Sequence, residues 1–210
     1  MSLPAITALE PDPRRRGTLR VDLDGARFGA VASELAAALG LAVGRAVDSE
    51  MRDRLSAAAD AEAALRTALR ALERRAFARA DLTRRLVRKG HPRSAVEDAM
   101  ERAASMGLLD DAAYALSYVQ TRTARGQGPA RLTRDLLAMG VGRALIDRAL
   151  AEEWPEGGDP SGVPLALASK RAAQLGSLPR PVKRRRVLAY LARRGFTGRE
   201  ISNLVARVVG

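Results

Sequence analysis

The sequence predicts an all-α dominated fold, an elongated tandem array of three-helix, helix-turn-helix-like repeats that follows a small N-terminal segment of β-hairpin and helices. The main observation is a pattern of apolar residues around a glycine that occurs three times after residue 62. Near the N-terminus, by contrast, apolar and polar residues alternate with a period of two, which indicates extended chain. Aromatic residues make up only 3% of the chain, so the cores must consist mainly of Leu, Ala and Val.

The N-terminal segment, residues 1–61, is predicted to contain an arm, a hairpin and two short helices. Prolines and a run of three arginines suggest that the arm is mobile, and an Asp-Gly pair between two extended stretches is typical of a hairpin turn. A lone hairpin is marginally stable in water, so we expect it to pack on the helices that follow. The predicted elements are the arm 1–17, the strands 18–23 and 26–31 around Asp24-Gly25, and helices at 33–40 and 48–59, the latter beginning at Asp48.

An internal repeat accounts for the rest of the chain. Three glycines, Gly90, Gly140 and Gly195, lie 50 and 55 residues apart, and each has apolar residues eight and four positions before it and six and ten positions after it. The matched apolar residues are Leu82, Leu132, Val187, Leu86, Leu136, Leu191, Val96, Ile146, Ile201, Met100, Leu150 and Val205. Four matched positions around a matched glycine, in three copies, strongly indicate a repeated structural unit.

Each repeat is predicted to hold three helices. A longer helix comes first, the apolar pair four residues apart marks a short second helix, and the glycine takes the left-handed conformation that ends it before the third helix. The longer helices are predicted at about 62–79, 110–125 and 162–176, and the repeats at 62–109, 110–159 and 160–210. A unit of about 50 residues has a thin core by itself, so neighbouring repeats should pack together.

Several predicted helix starts have recognisable capping residues. Asp110 or Asp111 can accept hydrogen bonds from the first amides of the second repeat. Thr197 and Glu200 have the spacing of a capping box at the start of the last helix. The prolines that suit a first helical turn are Pro92, Pro129 and Pro181.

The chain is strongly basic. It has 36 basic and 24 acidic residues, a net charge of +12 and a pI near 11.3, which favours a polyanionic partner such as nucleic acid. Residues 62–109 carry 11 basic and 6 acidic residues and residues 160–210 carry 11 and 1, whereas residues 1–61 carry 8 and 9. The first and third repeats are therefore the candidates for contact with phosphates, and the front segment is not the source of the positive charge.

The residue types present exclude several kinds of catalytic site. Without cysteine, and with His91 as the single histidine, the chain cannot form a thiolate nucleophile, a zinc–cysteine site or a histidine pair. Asp110-Asp111 has no third metal ligand in sight, and Gly126-Gln127-Gly128 lacks the strand and the Gly-Lys-Ser/Thr of a phosphate-binding loop. We therefore interpret the first pair as a helix cap and the second motif as a turn, and we predict no cofactor and no catalytic residue.

Residues 62–153 resemble the core of the RecX family. The similarity rests on a basic stretch at the start, a Leu-Asp-Asp motif followed by an aromatic residue, and a Gly-x-Gly motif. These are Arg74-Arg75, the basic helix Leu82–Gly90, the stretch Gly107 to Asp111 with Tyr114-Ala115, and Gly126-Gln127-Gly128 before Leu132. Residues 162–210 resemble the C-terminal repeat of that family more weakly.

The resemblance implies a regulator, mainly an inhibitor, of RecA recombinase. RecX proteins bind in the groove of the RecA–DNA filament, contact DNA, and suppress the ATPase, strand-exchange and coprotease activities of RecA. The expected partners are the RecA filament and single- and double-stranded DNA.

No apolar run approaches the roughly 18 residues that span a bilayer, so a cytoplasmic protein without membrane contact is expected. A monomer is expected because no dimerisation helix is recognisable.

The candidate residues for contact with DNA or RecA are the cations of the short second helices and their flanks. They are Arg74, Arg75, Arg84, Arg85, Arg88, Lys89, Arg131, Arg134, Lys183, Arg184, Arg185, Arg186, Arg193 and Arg194. The four consecutive cations from Lys183 span more than one helical turn, so only some of them can face one partner.

Two other classes of function compete with this interpretation. A helix-turn-helix transcription regulator would use one of the helical hairpins to read duplex DNA, and it would bind a preferred sequence, usually as a symmetric dimer. An enzyme on a helical scaffold is the third possibility, and the absence of cysteine and the presence of a single histidine argue against it.

Overall fold

The computed structural model describes residues 3–155 and 162–210 and divides the chain into two units. Unit 1 comprises Met1–Phe77 and Asp81–Leu109, and unit 2 comprises Ala78–Ala80 and Asp110–Gly210. The strands are β1 (Ile6–Pro11), β2 (Thr18–Leu23) and β3 (Ala26–Ala32). The helices are α1 (Ser33–Ala38), α2 (Ser49–Leu72), α3 (Arg79–Arg88), α4 (Arg93–Ser105), α5 (Asp111–Thr123), α6 (Pro129–Met139), α7 (Arg143–Glu153), α8 (Gly162–Gln174), α9 (Arg180–Arg194) and α10 (Arg199–Val209). The prediction of a helical fold behind a small β segment is confirmed.

The N-terminal segment forms a three-stranded antiparallel sheet with β2 in the centre. The hairpin of β2 and β3 is confirmed, and its turn has both Asp24 and Gly25 at positive φ, as a two-residue hairpin turn requires. The prediction of a mobile arm over residues 1–17 is wrong, because β1 pairs with β2 within that range. Ile6 anchors this strand, since its side chain is almost completely buried in the core of the sheet.

A single long helix, α2, replaces the two helices predicted at 48–59 and 62–79. It begins as predicted, because the Asp48 carboxylate accepts a hydrogen bond from the Met51 amide at 2.7 Å. The prediction of a break near residue 60 is wrong. Residues 57–64 consist of alanine, aspartate and glutamate, with neither glycine nor proline, and alanine is the strongest helix former.

The sheet and the first repeat pack together around α2 in unit 1. Gly29 of β3 allows the close approach, because a Cβ at that position would lie 2.7 Å from the Cβ of Ala59. Glu62 of α2 is buried and accepts hydrogen bonds from Arg15 at 3.2 Å and from Arg102 of α4 at 2.5 Å. This carboxylate therefore joins the loop between β1 and β2 to two helices of the first repeat.

The three predicted repeat glycines all have the left-handed conformation. Gly90, Gly140 and Gly195 have φ values of +90°, +85° and +95° and stand directly after or shortly after α3, α6 and α9. Ten of the twelve matched apolar residues are buried, and Leu150 and Ile201 are half-buried against the same cores. The prediction of a repeated helical unit is confirmed, and its physical basis is a helix that stops at a glycine and turns back over its own apolar face.

The predicted helix caps are partly confirmed. The Asp110 carboxylate accepts hydrogen bonds from the amides of Ala112 and Ala113, each at 2.9 Å, and so caps α5. Asp111 instead accepts from the backbone N–H of Arg79 at 2.8 Å. Three prolines were predicted to lie in first helical turns. Pro129 and Pro181 do lie in the first turns of α6 and α9, whereas Pro92 directly precedes α4.

The capping box predicted at Thr197 is wrong. The helix α10 begins at Arg199, and the residue before it is Gly198, which has a φ of +108° and no side chain to accept a hydrogen bond. A capping box needs the threonine itself at the cap position. The glycine turn moves the start of the helix one residue beyond the place where Thr197 could cap it.

The second and third repeats meet through two glycines in unit 2, an arrangement that we call the glycine contact. The Gly128 amide donates to the carbonyl of Arg194 at 2.7 Å, and the Ala130 amide donates to the carbonyl of Gly195 at 3.2 Å. The last carbonyls of α9 thus satisfy the first amides of α6, both of which lack partners within their own helices. A Cβ on Gly195 would lie 2.5 Å from the Arg131 amide nitrogen, so a larger residue does not fit there.

No helix within the described residues has the length and apolar character needed to cross a membrane.

The glycine contact predicts different effects of one substitution at two equivalent glycines. Gly90→Ala meets no atom within 4 Å and should lower the free energy of unfolding by about 1 kcal/mol, the cost of a left-handed alanine. Gly195→Ala adds the clash with Arg131 and should cost about 3 kcal/mol in all. Urea unfolding followed by circular dichroism measures both, and equal losses would contradict the packing role of Gly195.

The buried carboxylate of Glu62 predicts a second stability effect. Arg15→Ala combined with Arg102→Ala leaves the carboxylate without a cation and should lower the free energy of unfolding by about 3 kcal/mol. The control is Arg52→Ala with Arg93→Ala, since both arginines are exposed and lie in the same unit. Thermal and urea unfolding compare the two pairs, and a loss no larger than that of the control would refute the assignment.

Candidate polyanion-binding surfaces

The structure distributes the predicted cations over both units. Six of them belong to unit 1, where they follow α2 or lie on α3, and eight belong to unit 2, where they lie on α6 and α9. They do not form one continuous cluster within either unit. The cations near α3, those of α6 and those of α9 have different surroundings.

Unit 1 has a basic cleft around Phe77, which we call the Phe77 cleft. Its volume is about 420 Å³. Phe77 is buried, the guanidinium of Arg75 lies 3.6 Å from its ring centre, and that of Arg85 lies 5.7 Å away. The ring therefore holds two arginines at the cleft by cation–π contact. The lining residues are Thr67, Arg70, Ala71, Arg74, Arg75, Phe77, Arg85, Leu86 and Lys89.

Two members of this cleft were missed by the sequence interpretation. Arg70 stands four residues before Arg74, so helical spacing alone would have placed both on one face of the helix predicted at 62–79. Phe77 gave no signal, because an aromatic residue next to a basic stretch is ordinarily assigned to the core. The structure shows that it belongs to the core and supports the cleft at the same time.

The other predicted cations of α3 face away from the Phe77 cleft. Leu82 and Leu86 are fully buried and define the core side of α3. Arg84 and Arg88, which are four residues apart, lie on the exposed side, and Arg84 is 3.6 Å from Asp81. The cations of α3 therefore divide between two surfaces.

The basic residues of α6 are partly neutralised. Arg131 lies 3.5 Å from Asp135, and Arg134 lies 3.7 Å from the same carboxylate. Burial raises the pKa of the Tyr118 phenol, and the negative charge of Asp135 raises it further. The second repeat therefore offers the weakest positive potential of the three candidate groups.

The exposed face of α9 forms a basic surface in unit 2, which we call the α9 face. The buried Val187 and Leu191 mark the side of the helix that faces the core. Arg185, Arg186 and Arg193 are exposed and, by helical spacing, project from the opposite side. The small residues Ala189 and Ala192 are exposed on the same helix. Residues 160–210 contain a single acidic residue, so this positive charge is barely offset.

The remaining cations of α9 have other surroundings. Lys183 is half-buried toward the core side, whereas Arg184 is exposed beside it. Arg194 takes part in the joint between repeats, because its guanidinium donates to the carbonyls of Arg125 and Gly126 at 3.2 and 3.3 Å. It also lies 4.9 Å from the ring of Tyr190. A role of Arg194 in binding a partner stays a prediction, and its observed contacts are internal.

The motifs considered for chemistry have structural positions. Gly126-Gln127-Gly128 is the turn between α5 and α6, as predicted, and Gly128 belongs to the glycine contact. His91 lies with its Nε2 3.0 Å from the hydroxyl of Thr67. Within residues 3–155 and 162–210, no group of three histidine or carboxylate side chains comes close enough to hold a metal ion.

Comparison with protein families gives one match to a family model. The model is described as RecX, second three-helix domain, and it matches residues 110–150. The chain is also 35% identical over 138 residues to the Regulatory protein RecX of Halorhodospira halophila, covering 62% of this chain and 78% of the relative. The protein of the same name from Pseudomonas entomophila is 35% identical over 138 residues, covering 64% and 84%.

Solved structures give the same result. The crystal structure of a regulatory protein RecX superposes with a TM-score of 0.77 at 25% identity, covering 98% of this chain and all of the other. RecX from Lactobacillus salivarius superposes with a TM-score of 0.62 at 19% identity, covering 71% of this chain and 96% of the other, which supports the fold alone.

The α9 face predicts salt-dependent binding to DNA. Arg185→Glu with Arg193→Glu should weaken binding to duplex DNA of arbitrary sequence and reduce the slope of log affinity against log salt by about 1.8, the value for two lost phosphate contacts. Arg148→Glu, an exposed arginine of α7 in the same unit, is the control and should leave the slope nearly unchanged. Fluorescence anisotropy over a salt series measures the slope, and the same slope in all proteins would count against this face.

Proposed function

The chain belongs to the RecX family, and from this premise we propose that it regulates RecA recombinase, mainly as an inhibitor. It binds in the groove of the RecA–DNA filament and suppresses the ATPase, strand-exchange and coprotease activities of RecA. The observation that carries the proposal is the similarity to the Regulatory protein RecX of Halorhodospira halophila, of which this chain covers 78%. The proposed partners are the filament and its single- and double-stranded DNA.

The basic surfaces suit a filament better than a single small ligand. Unit 1 has the Phe77 cleft and unit 2 has the α9 face, so one chain offers at least two surfaces for anionic groups. A filament presents the same protein surface and the same phosphate spacing many times. Binding through one surface therefore raises the effective concentration of the second surface near its own target, and avidity follows without any further contact.

Inhibition follows from differential binding. A protein that holds neighbouring filament subunits in one arrangement stabilises that state over the others in the ATPase cycle. It can shift the equilibrium only by its difference in affinity for the two states, so the inhibitor must fit one filament state better. We propose that this chain acts by binding alone, as a monomer in the cytoplasm, and carries out no catalysis of its own.

The proposed function predicts inhibition of RecA at low protein ratios. The DNA-dependent ATP hydrolysis of RecA on single-stranded DNA should fall as this protein is added, with full effect at or below one molecule per RecA subunit. Because the α9 face contributes to binding, Arg185→Glu with Arg193→Glu should require roughly tenfold more protein for the same effect, whereas Arg148→Glu should not. Unchanged hydrolysis, together with tight binding to one preferred duplex sequence, would instead favour the transcription regulator.

A further inference from the structure

A second cleft in unit 1 lies beside α2, and we call it the front cleft. Its volume is about 630 Å³. The walls come from the loop between β1 and β2, from β2 and β3, and from the middle and last turns of α2. Six of its ten lining residues are arginines, although residues 1–61 as a whole are slightly acidic. The lining residues are Asp12, Pro13, Arg14, Arg15, Arg20, Arg27, Arg66, Leu69, Arg70 and Glu73.

The arginines of the front cleft fall into two kinds. Two have partners, since Arg15 is paired with Glu62 at 3.2 Å and Arg20 with Glu10 at 2.9 Å. Among the described residues, the guanidinium groups of the other four form no hydrogen bond or ion pair. These four are Arg14, Arg27, Arg66 and Arg70. Besides Glu10 and Glu62, which are paired, only Asp12 and Glu73 of the lining residues bring negative charge to these six arginines, so the cations outnumber the carboxylates and a bound anion reduces their mutual repulsion.

The front cleft and the Phe77 cleft are neighbours, because Arg70 lines both of them. Arg66 and Arg70 lie four residues apart on one face of α2, about 6 Å along its axis, and Arg74 follows in the turn after the helix. These three arginines form a row along the two clefts. The row leads from the N-terminal sheet toward Arg85 and Lys89, which line the far part of the Phe77 cleft. A linear polyanion fits such a row better than an isolated anion does.

A single strand suits the two clefts better than a duplex does. Their volumes, about 630 and 420 Å³, are those of clefts that hold small molecules or short segments of chain. The bases of a duplex are paired and stacked inside the helix, so a duplex offers these clefts only phosphates, whereas a single strand also offers unstacked bases. The backbone of one strand can lie in them, with its bases turned outward or against a flat side chain.

One such flat side chain is already in place. Arg75 lies on the Phe77 ring at 3.6 Å, and the residue as a whole is exposed. A guanidinium plane that is held on one face by an aromatic ring can stack a base on its other face. Every nucleotide of a single strand supplies both a phosphate and a planar base, whereas the negative side chains of an acidic peptide carry no ring, so nucleic acid fits these observations better.

We propose that the front cleft and the Phe77 cleft form one groove that binds the sugar–phosphate backbone of single-stranded nucleic acid, independently of sequence. The unpaired Arg14, Arg27, Arg66 and Arg70 contact successive phosphates, and Arg75 stacks a base. The N-terminal sheet is then part of a binding site and not only a support for the repeats. This inference rests on the single-stranded DNA contact in the proposed function and adds the site that makes it. Its test contains no RecA, so loss of the groove and loss of RecA inhibition can be distinguished.

The experiment measures binding of a fluorescent oligothymidylate of roughly 20 nucleotides, longer than the ~4–16 nucleotides such grooves cover, to the full chain without RecA. Arg27→Glu with Arg70→Glu should weaken binding roughly tenfold or more and reduce the log–log salt slope by about 1.4, the value for two phosphates on a single strand. The matched control is Arg52→Glu with Arg93→Glu, two exposed arginines of unit 1 that line neither cleft. Its binding should change by less than about threefold.

Competing ligands and a second readout complete the test. Unlabelled oligouridylate should displace the probe, because the contacts are to phosphate, whereas polyglutamate of equal charge should displace it poorly. Since the chain has no cysteine, Arg27→Cys and Arg52→Cys each carry a single thiol-linked photocrosslinker, and crosslinking to the oligothymidylate should be strong at 27 and weak at 52. The crosslink also tests the groove if the double variant does not fold. Equal crosslinking at both positions, unchanged binding by the folded double variant, or displacement by polyglutamate as effective as by oligouridylate would each overturn the proposal.

Discussion

The left-handed glycine at the end of each short second helix is the constraint on which the repeats depend. Gly90, Gly140 and Gly195 stop their helices and allow the next helix to fold back over the same apolar residues. This return fixes which side of α3, α6 and α9 is buried. Because the buried side is fixed, the outward side is fixed as well, and the exposed arginines of α9 lie together for this reason. In each repeat, the glycine turn therefore determines both how the helices pack and which charged side chains are exposed.

Several residues that carry the family resemblance have clear roles in folding. Asp110 caps α5, Asp111 accepts the amide of Arg79, and Gly128 lies against Gly195. At the glycine contact, the two helix ends supply each other with the hydrogen-bond partners that neither has alone. Arg194 strengthens the same joint through two carbonyls, although its position in a basic run suggested a contact with a partner. A motif that is shared within a family can thus be explained by its role in packing, without a role in binding.

Local patterns in the sequence predicted local structure well. The repeat, its glycines, the hairpin turn and the caps at Asp48 and Asp110 depend on residues within a few positions of one another. The break near residue 60 and the capping box at Thr197 were local errors, but the other features that the sequence did not reveal arise where distant parts of the chain meet. The strand β1 forms because Ile6 enters a core built by residues far along the chain, and Glu62 is tolerated within an apolar helix face because Arg15 and Arg102 donate hydrogen bonds to it. Spacing within a segment carries no information about such partners.

The charge of a segment is likewise a poor guide to the charge of a surface. Residues 1–61 are nearly neutral, yet their arginines and those of α2 gather on one side of unit 1, while acidic partners such as Glu10 and Glu62 are used in pairs with Arg20 and Arg15. What remains unpaired in the front cleft is a set of four cations, two from residues 1–61 and two from α2, and no sum over a segment shows that they lie around one cleft. The electrostatic potential at a surface depends on which of its charges are paired with an opposite charge nearby. The field of such an ion pair is weak beyond the screening length of the salt solution. The fold therefore joins Arg14 and Arg27 of a nearly neutral segment to Arg66 and Arg70 of a basic one, and the basic surface depends on both.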